Sequence, residues 1–247
     1  MNNDNKMASA KRLLAISDIH GHQDGLMRLL HEAAYDPARD QLLLLGDYID
    51  ADNPASWRTL DVVKELVSQG ASAIPGNQEL KLAALSKRYR GRRGLPGQQR
   101  QYVKWISSLP LCIIEAEILF VHAGLRPGIP LREQSVRDMT EIREEFFAFP
   151  LEQLAALIDG DESNRNKRLW RRIMFGHTPT SKLGAVPGDI WTDGRRIAID
   201  TGAKHSQRLT LLDIHEGISY SCPTEPGYRS GECTKSIIKS LVGPAIN

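Results

Sequence analysis

The sequence of 247 residues predicts an α/β fold, and two observations carry this prediction. Short apolar runs alternate, in the first third of the chain, with segments whose apolar residues recur at helical spacing. That order is typical of parallel strands joined by crossover helices. The composition fits a soluble globular chain, since 41% of the residues are hydrophobic and 25% are charged. We therefore expect an α/β domain long enough to bury a sizeable core.

The first three predicted strands all end in a polar residue. The strands are expected at 12–17, 41–45 and 71–74, with helices at 23–34 and 56–69 between them. The polar residues are Asp18, Asp47 and Asn77, which lie 29 and 30 positions apart. Each interval is about the length of one strand–helix–strand unit. Because ligands bind at the carboxyl edge of open parallel sheets, we expect these side chains to lie together at that edge.

The rest of the chain is predicted to contain more strands and a helical cap. Helical segments of the cap are expected within 81–110 and 126–170. Further strands are expected at 111–115, 117–121 and 173–175, the last two followed by His122 and Gly176-His177, and a hairpin-like pair is expected at 189–200 and 209–214. The predicted domain boundaries are a flexible N-terminal tail over 1–11, one domain over 12–220 and a C-terminal tail over 221–247.

Charge and cysteine content exclude some classes of function. The formal net charge is +2, which argues against a dedicated nucleic-acid binder. No apolar run is long enough to cross a bilayer, and the N-terminus lacks the apolar core of a signal peptide. Three cysteines are too few for a disulfide framework. Cys222 and Cys233 could pair under oxidising conditions, but we expect two free thiols and a cytoplasmic location.

Six polar residues at predicted strand ends form a candidate ligand set. They are Asp18, His20, Asp47, Asn77, His122 and His177. Such a mixture of nitrogen and oxygen ligands suits Mn²⁺, Fe²⁺ or Zn²⁺. Six ligands exceed the number that one catalytic ion needs, because such an ion keeps positions open for water and substrate. Two divalent ions sharing a bridging carboxylate fit the count.

Five short segments, in this order, resemble the motifs of the phosphoprotein phosphatase (PPP) superfamily of metallophosphoesterases. They are SDIHG (17–21), GDYID (46–50), GNQE (76–79), HAG (122–124) and GHTP (176–179). The resemblance runs from about Leu13 to Ile214, and within it the chain looks most like bacterial serine/threonine phosphatases. It implies a four-layer sandwich in which two mixed β-sheets are flanked by helices, with a helical cap.

The resemblance also assigns roles to the ligand set. It implies that Asp18, His20 and Asp47 hold one metal ion. Asp47, as the bridging ligand, would hold the second ion together with Asn77, His122 and His177. Water made hydroxide-like between the two ions would attack phosphorus in line. From the family and the ligands, two Mn²⁺ ions are the expected cofactors.

Two positions depart from the family pattern. In the family the ligand asparagine is normally followed by a histidine. This histidine protonates the leaving oxygen and is oriented by the aspartate that corresponds to Asp50. Here the histidine is replaced by Gln78, whose amide cannot act as a general acid. General acid catalysis typically contributes a factor of ~10²–10⁴ in rate. An arginine that clamps phosphate is replaced by Ala51. Arg143, within EIREEF, is similar to an arginine of bacterial relatives and is expected to bind phosphate. Arg171 and Arg172 are the alternatives for this role.

Three functions stay open on these residues. The first is a metal-dependent phosphatase acting on phosphoprotein or aryl phosphate substrates. The second is symmetrical hydrolysis of diadenosine tetraphosphate, an activity of family members. The third is a regulatory protein that binds metal and phosphate without turnover. A substitute acid, either a protonated Asp50 or His205, is a further alternative. We expect no membrane or nucleic-acid partner, and the oligomeric state is left open.

Overall fold

The computed structural model describes residues 11–88, 97–150, 170–225, 232–238 and 241, with only the backbone given for 86–88. Within these ranges the chain forms eleven strands and six α-helices. The strands are β1 Arg12–Ile16, β2 Asp40–Leu44, β3 Ser72–Ala73, β4 Cys112–Glu115, β5 Ile118–Val121, β6 Arg172–Phe175, β7 Trp191–Thr192, β8 Arg196–Ala198, β9 Arg208–Asp213, β10 Ile218–Pro223 and β11 Thr234–Ile237. The helices are α1 Gln23–Glu32, α2 Thr59–Ser68, α3 Asn77–Arg88, α4 Gly97–Ile106, α5 Val136–Glu141 and α6 Glu144–Phe147.

The strands form two mixed sheets. The six-stranded sheet has the order β11-β10-β9-β1-β2-β3, and the five-stranded sheet has the order β4-β5-β6-β8-β7. Strands β1, β2 and β3 are parallel, as are β5, β6 and β8. The predicted alternation of strands and helices in the first third of the chain is therefore confirmed.

Alternating residues of the strands separate the core into layers. On β1, Leu13 and Ala15 face the second sheet, while Leu14 and Ile16 pack against the helices of the first layer. Helices α1 to α4 cover the six-stranded sheet, and α5 and α6 cover the outer face of the five-stranded sheet. The predicted four-layer sandwich is confirmed. The described parts of the predicted helical cap are these flanking helices, and 89–96 and 151–169 lie outside the described residues.

The predicted hairpin between 189–200 and 209–214 is wrong. Strands β7 and β8 pair with each other in the five-stranded sheet, whereas β9 lies in the six-stranded sheet. Both segments alternate in polarity because each has one face in the core between the sheets, where Ile197 of β8 and Leu212 of β9 are buried together. Alternation shows that a strand is half buried but not which strand it pairs with.

The prediction of a C-terminal tail over 221–247 also needs correction in its described part. Strand β10 continues to Pro223, and β11 pairs with it antiparallel. Because Ser221 is paired with Thr234, the neighbouring Cys222 and Cys233 meet and form a disulfide with a Cα–Cα distance of 4.2 Å. The prediction of two free thiols is therefore wrong. Disulfides persist in oxidising compartments, and the cytoplasmic location stays a prediction. Among the described helices, none has the length and apolar character that crossing a bilayer requires.

Removing this bond should destabilise the protein. We expect Cys233→Ser to lower the free energy of unfolding by about 3 kcal/mol, because the bond closes a loop between cysteines 11 positions apart. Urea denaturation with and without reductant measures the effect. Reductant should destabilise the wild type and a Cys112→Ser control, whose thiol is free. It should leave Cys233→Ser unchanged. A wild-type midpoint that ignores reductant would contradict this expectation.

Candidate metal centre

All six predicted ligands follow the carboxyl ends of parallel strands. Asp18 and His20 follow β1, Asp47 follows β2, and Asn77 follows β3. His122 and His177 follow β5 and β6. The two sheets thus place the six side chains along one shared edge, as the strand-end pattern predicted.

Four of the ligands have an unusual backbone conformation. The φ angles are 53° at Asp18, 46° at His20, 50° at Asp47 and 64° at His177. Residues with a Cβ atom rarely adopt this left-handed region, and those that do are concentrated at functional sites, where the surrounding structure holds them.

Hydrogen bonds between the strand-end loops hold this conformation. The Asp18 N–H donates to the Gly46 carbonyl at 3.0 Å, and the His20 N–H donates to the Asp47 carbonyl at 2.9 Å. The His177 N–H donates to Oδ2 of Asp18 at 2.9 Å, which links the two sheets. A Cβ atom on Gly176 would collide with Asp18 Oδ2, so this close approach requires glycine.

Glu79 orients the loop that carries Asp47, a role that the sequence analysis missed. Its fully buried carboxylate accepts hydrogen bonds from the backbone N–H groups of Asp47 at 2.8 Å, Tyr48 at 2.9 Å and Gly76 at 2.8 Å. Burial, and then the charge of Asp47, raise the pKa of Glu79 to about 7. An acidic residue inside the GNQE motif was the available signal.

The ligands form two clusters that share one aspartate. One cluster contains Asp18, His20 and Asp47, and the other contains Asp47, His122 and His177. In each cluster the ligand atoms lie within 4.8 Å of one another. Asn77 joins the second cluster, because one end of its carboxamide lies 3.1 Å from Oδ2 of Asp47 and 3.0 Å from Nδ1 of His177.

Hydrogen bonds at the far side of two histidines orient their free nitrogens. His20 Nδ1 lies 2.9 Å from Oδ1 of Asp50, and His122 Nδ1 lies 2.8 Å from the Leu45 carbonyl. Their Nε2 atoms face Asp47, at 3.7 Å from Oδ2 for His20 and 3.4 Å from Oδ1 for His122. Metal-binding histidines are commonly oriented in this way, through the ring nitrogen that does not bind the ion.

The charges of the site fit a cation. Burial raises the pKa of Asp47. His122 acts in the opposite direction, and the charge of the nearby Asp18 carboxylate raises the pKa further. Burial, His122 and Arg143 lower the pKa of His177 to about 3, so its imidazole is neutral and has an electron pair to share. Buried carboxylates beside the neutral imidazole of His177 are a donor set that divalent ions bind.

The contacts of Asp50 favour its ionised form, which argues against its role as a substitute acid. Its carboxylate contacts His20 and also Lys204, whose Nζ lies 2.9 Å from Oδ1. These contacts, with His20 the larger, hold the pKa of Asp50 well below its usual range. The contacts therefore disfavour the alternative of a protonated Asp50. Lys204, and not the neighbouring His205, contacts Asp50, and no spacing signal in the sequence pointed to this lysine.

Gln78 and Ala51, the two positions that depart from the family, are in contact. The Ala51 N–H donates to Oε1 of Gln78 at 3.1 Å, and the Gln78 N–H donates to Oδ1 of Asp47 at 2.9 Å. Gln78 is 7% exposed. It thus occupies the edge of the ligand clusters with a side chain that cannot titrate.

Arg143 lies beside the second cluster. Its Nη1 donates to the His177 carbonyl at 3.1 Å and to Oγ1 of Thr178 at 3.0 Å, and the residue is exposed. The alternatives are placed elsewhere. Arg171 pairs with Glu117, and Arg172 begins β6 at the end opposite His177.

An α/β sandwich with two ligand clusters at its parallel-strand edge is typical of metal-dependent hydrolases. The sequence profile of the calcineurin-like phosphoesterases matches residues 11–211, and the chain belongs to this family. The predicted membership in the metallophosphoesterases is therefore confirmed.

Curated relatives match this chain over part of their length. The chain is 35% identical over 122 residues to the symmetrical bis(5'-nucleosyl)-tetraphosphatase of Dechloromonas aromatica, which covers 46% of this chain and 44% of that protein. It is 31% identical over 141 residues to the same enzyme of Shigella dysenteriae, covering 51% and 49% of the two chains. The chain thus matches about half the length of these curated relatives.

Solved structures show the same fold. A protein described provisionally as a diadenosine tetraphosphatase superposes with a TM-score of 0.64 at 22% identity, covering 89% of this chain and 96% of the other. A protein serine/threonine phosphatase from Saccharomyces cerevisiae superposes with a TM-score of 0.53 at 15% identity, covering 95% and 82%. At these identities the likeness is one of fold.

Proposed function

We propose that this protein hydrolyses phosphoric anhydrides and aryl phosphates, with dinucleoside polyphosphates as the favoured substrate class. The observation that carries the proposal is the uncharged Gln78 at the position of the usual acid. A leaving group of low pKa departs without a proton, whereas a serine alkoxide needs one. The names of the tetraphosphatase relatives support nucleotide substrates.

The proposed metal ligands are the six residues of the two clusters. Asp18, His20 and Asp47 would hold one divalent ion, and Asp47, Asn77, His122 and His177 would hold the other, with Mn²⁺ as the proposed metal. Two such ions activate water and stabilise charge on a phosphate undergoing in-line displacement. Asp47 would bridge the ions, with Glu79 holding its loop in place.

Two cations would bind the phosphate groups. Arg143 lies against the GHTP loop and presents its guanidinium to solvent above the second cluster. Lys204 has a side chain that is 43% exposed and reaches Asp50 beside the first cluster. Because an ammonium has three donors, Lys204 can keep its contact with Asp50 and still bind a phosphate oxygen. We assign to Lys204 the phosphate-binding role of the family arginine that Ala51 replaces.

Lys204→Met should weaken substrate binding. We expect KM to rise about tenfold for a dinucleoside tetraphosphate, since one charge-assisted hydrogen bond to phosphate is lost. Steady-state kinetics with Mn²⁺ would measure the change. Lys182→Met, on a short 3-10 turn after the GHTP motif, is the matched control and should leave KM unchanged. Equal KM values for Lys204→Met and the wild type would remove this role.

A series of leaving groups tests the proposed function. With Mn²⁺ present, rates for substituted phenyl phosphates should fall steeply as the pKa of the leaving phenol rises, and a phosphoserine peptide should be cleaved poorly. Diadenosine tetraphosphate should be cleaved to two molecules of ADP. Gln78→His should raise the phosphoserine rate by about tenfold or more while changing the rate for para-nitrophenyl phosphate little. Equal rates on aryl and alkyl phosphates would contradict the proposal.

A second candidate is a protein that binds metal and phosphate without turnover. The combination of Gln78 and Ala51 favours it, because both changes remove groups that act on the substrate and neither removes a metal ligand. Under this candidate, Mn²⁺ would bind, but no substrate of the series would be cleaved faster than by an Asp47→Asn variant.

A further inference from the structure

A chain of three hydrogen-bonding amide groups connects the backbone of Ala51 to the second ligand cluster. The Ala51 N–H donates to Oε1 of Gln78 at 3.1 Å. A backbone N–H can only donate, so it determines which end of the Gln78 carboxamide faces it. Nε2 of Gln78 therefore points the other way, to within 3.0 Å of the carboxamide end of Asn77 that faces away from the cluster.

The same reasoning sets the orientation of Asn77. Nε2 of Gln78 and Nζ of Lys81 lie 3.0 Å and 3.2 Å from that outer end, and both can only donate. Hydrogen bonds form there only if the Asn77 oxygen faces outward. Its nitrogen then faces Oδ2 of Asp47 at 3.1 Å and Nδ1 of His177 at 3.0 Å, which both accept.

One contact favours the opposite orientation. Nε2 of His122 lies 3.3 Å from the inner end of the Asn77 carboxamide. At 3.3 Å this is the longest of the five contacts of this carboxamide. The four shorter contacts therefore place the nitrogen inward, and the longest one places the oxygen inward.

We propose that Gln78 is a positioning residue that turns the Asn77 carboxamide away from metal binding and so lowers the affinity of the second cluster for its ion. This inference rests on the dinuclear site of the proposed function. A carboxamide binds a cation through its oxygen, so Asn77 must rotate by 180° when the second ion binds. Its nitrogen would then meet Nε2 of Gln78, donor against donor.

Asn77 cannot rotate without the loss of a hydrogen bond at Gln78. If Gln78 rotates as well, its nitrogen meets the Ala51 N–H, and that buried donor has no acceptor. One buried donor without a partner accounts for a lowering of the affinity by about 10- to 100-fold. The first cluster does not contain Asn77, so its affinity is independent of this arrangement. The second ion should therefore bind markedly more weakly than the first.

Calorimetric titration of the full chain with Mn²⁺ tests the inference. Gln78→Met introduces a side chain of similar length that neither donates nor accepts strongly, so the buried donor that opposes rotation of Asn77 is removed. The other donor at the outer end, Lys81, is exposed and can move away when Asn77 rotates. We expect the second Mn²⁺ to bind about tenfold or more tightly than in the wild type, with the first unchanged. The electron paramagnetic resonance signal of two coupled Mn²⁺ ions should appear at lower metal concentration. Gln41→Met is the matched control, because the Gln41 amide bonds to Gly70 and Ser72 at the other end of β2.

A second pair of variants separates positioning from a general effect on the site. An aspartate at position 77 offers oxygen at both ends, so Gln78→Met should leave the second-ion affinity unchanged in an Asn77→Asp background. An equal gain in both backgrounds, or no gain in either, would overturn the inference. If the wild type and the variants all fail to bind Mn²⁺, both the inference and the proposed function fail. If the wild type binds two ions equally and hydrolyses the substrates, the inference alone fails.

Discussion

Asp47→Asn should reduce the rate of hydrolysis of any substrate by at least about 10³-fold, equivalent to roughly 4 kcal/mol of transition-state stabilisation. Asp47 is the residue that the two ligand clusters share. Its two oxygens point in different directions, Oδ2 toward His20 and Oδ1 toward His122. An asparagine offers one oxygen and one nitrogen, so it can serve one cluster but not both, and it removes the charge that attracts the ions.

Metal content and stability distinguish this loss from unfolding. Asp47→Asn should bind less Mn²⁺ after dialysis, which elemental analysis measures. Its metal-free form should be at least as stable as the wild type in urea, because the repulsion between the buried Asp18 and Asp47 is relieved. Asp52→Asn, which removes an exposed carboxylate just after the GDYID motif, is the control and should keep both activity and metal. Activity of Asp47→Asn above a tenth of the wild-type value would contradict a bridging role.

Arg143→Met should reduce kcat/KM by about 10²–10³-fold, because a positioned donor to the charge of the transferring phosphate is lost. The guanidinium is held in place by the His177 carbonyl and Thr178 Oγ1, and within the described parts of the chain its other N–H groups have no acceptor and can face a substrate. Inhibition by inorganic phosphate should weaken in parallel, since the product would use the same contact.

A nearby arginine provides the control for charge. Arg137 lies on α5, has a side chain that is 86% exposed and pairs with Glu141. Arg137→Met removes one positive charge from the same segment but no contact with the GHTP loop. If Arg143→Met and Arg137→Met show the same small loss, the phosphate-binding role belongs to another residue.

The candidate ligands were predictable because each belongs to a local pattern. Asp18, Asp47 and Asn77 end strands that are joined by short crossover helices, and parallel strands place their carboxyl ends at one edge. His122 and His177 follow β5 and β6, which are also parallel. The predictions that were wrong concern which segments meet. Strand β9 does not pair with β8, and Cys222 meets Cys233, because pairing between strands depends on the whole sheet.

The sequence by itself determined the fold class, the metal-ligand candidates and the missing acid at Gln78, since these depend on residue type, periodicity and spacing along the chain. Only the tertiary structure placed Lys204 beside Asp50, where it favours the ionised carboxylate, and placed Glu79 against the Asp47 loop. It also connected Ala51 through Gln78 to Asn77. Charge and hydrogen-bond direction act over a few ångströms between groups that are far apart in sequence, so they take effect only once the chain has folded.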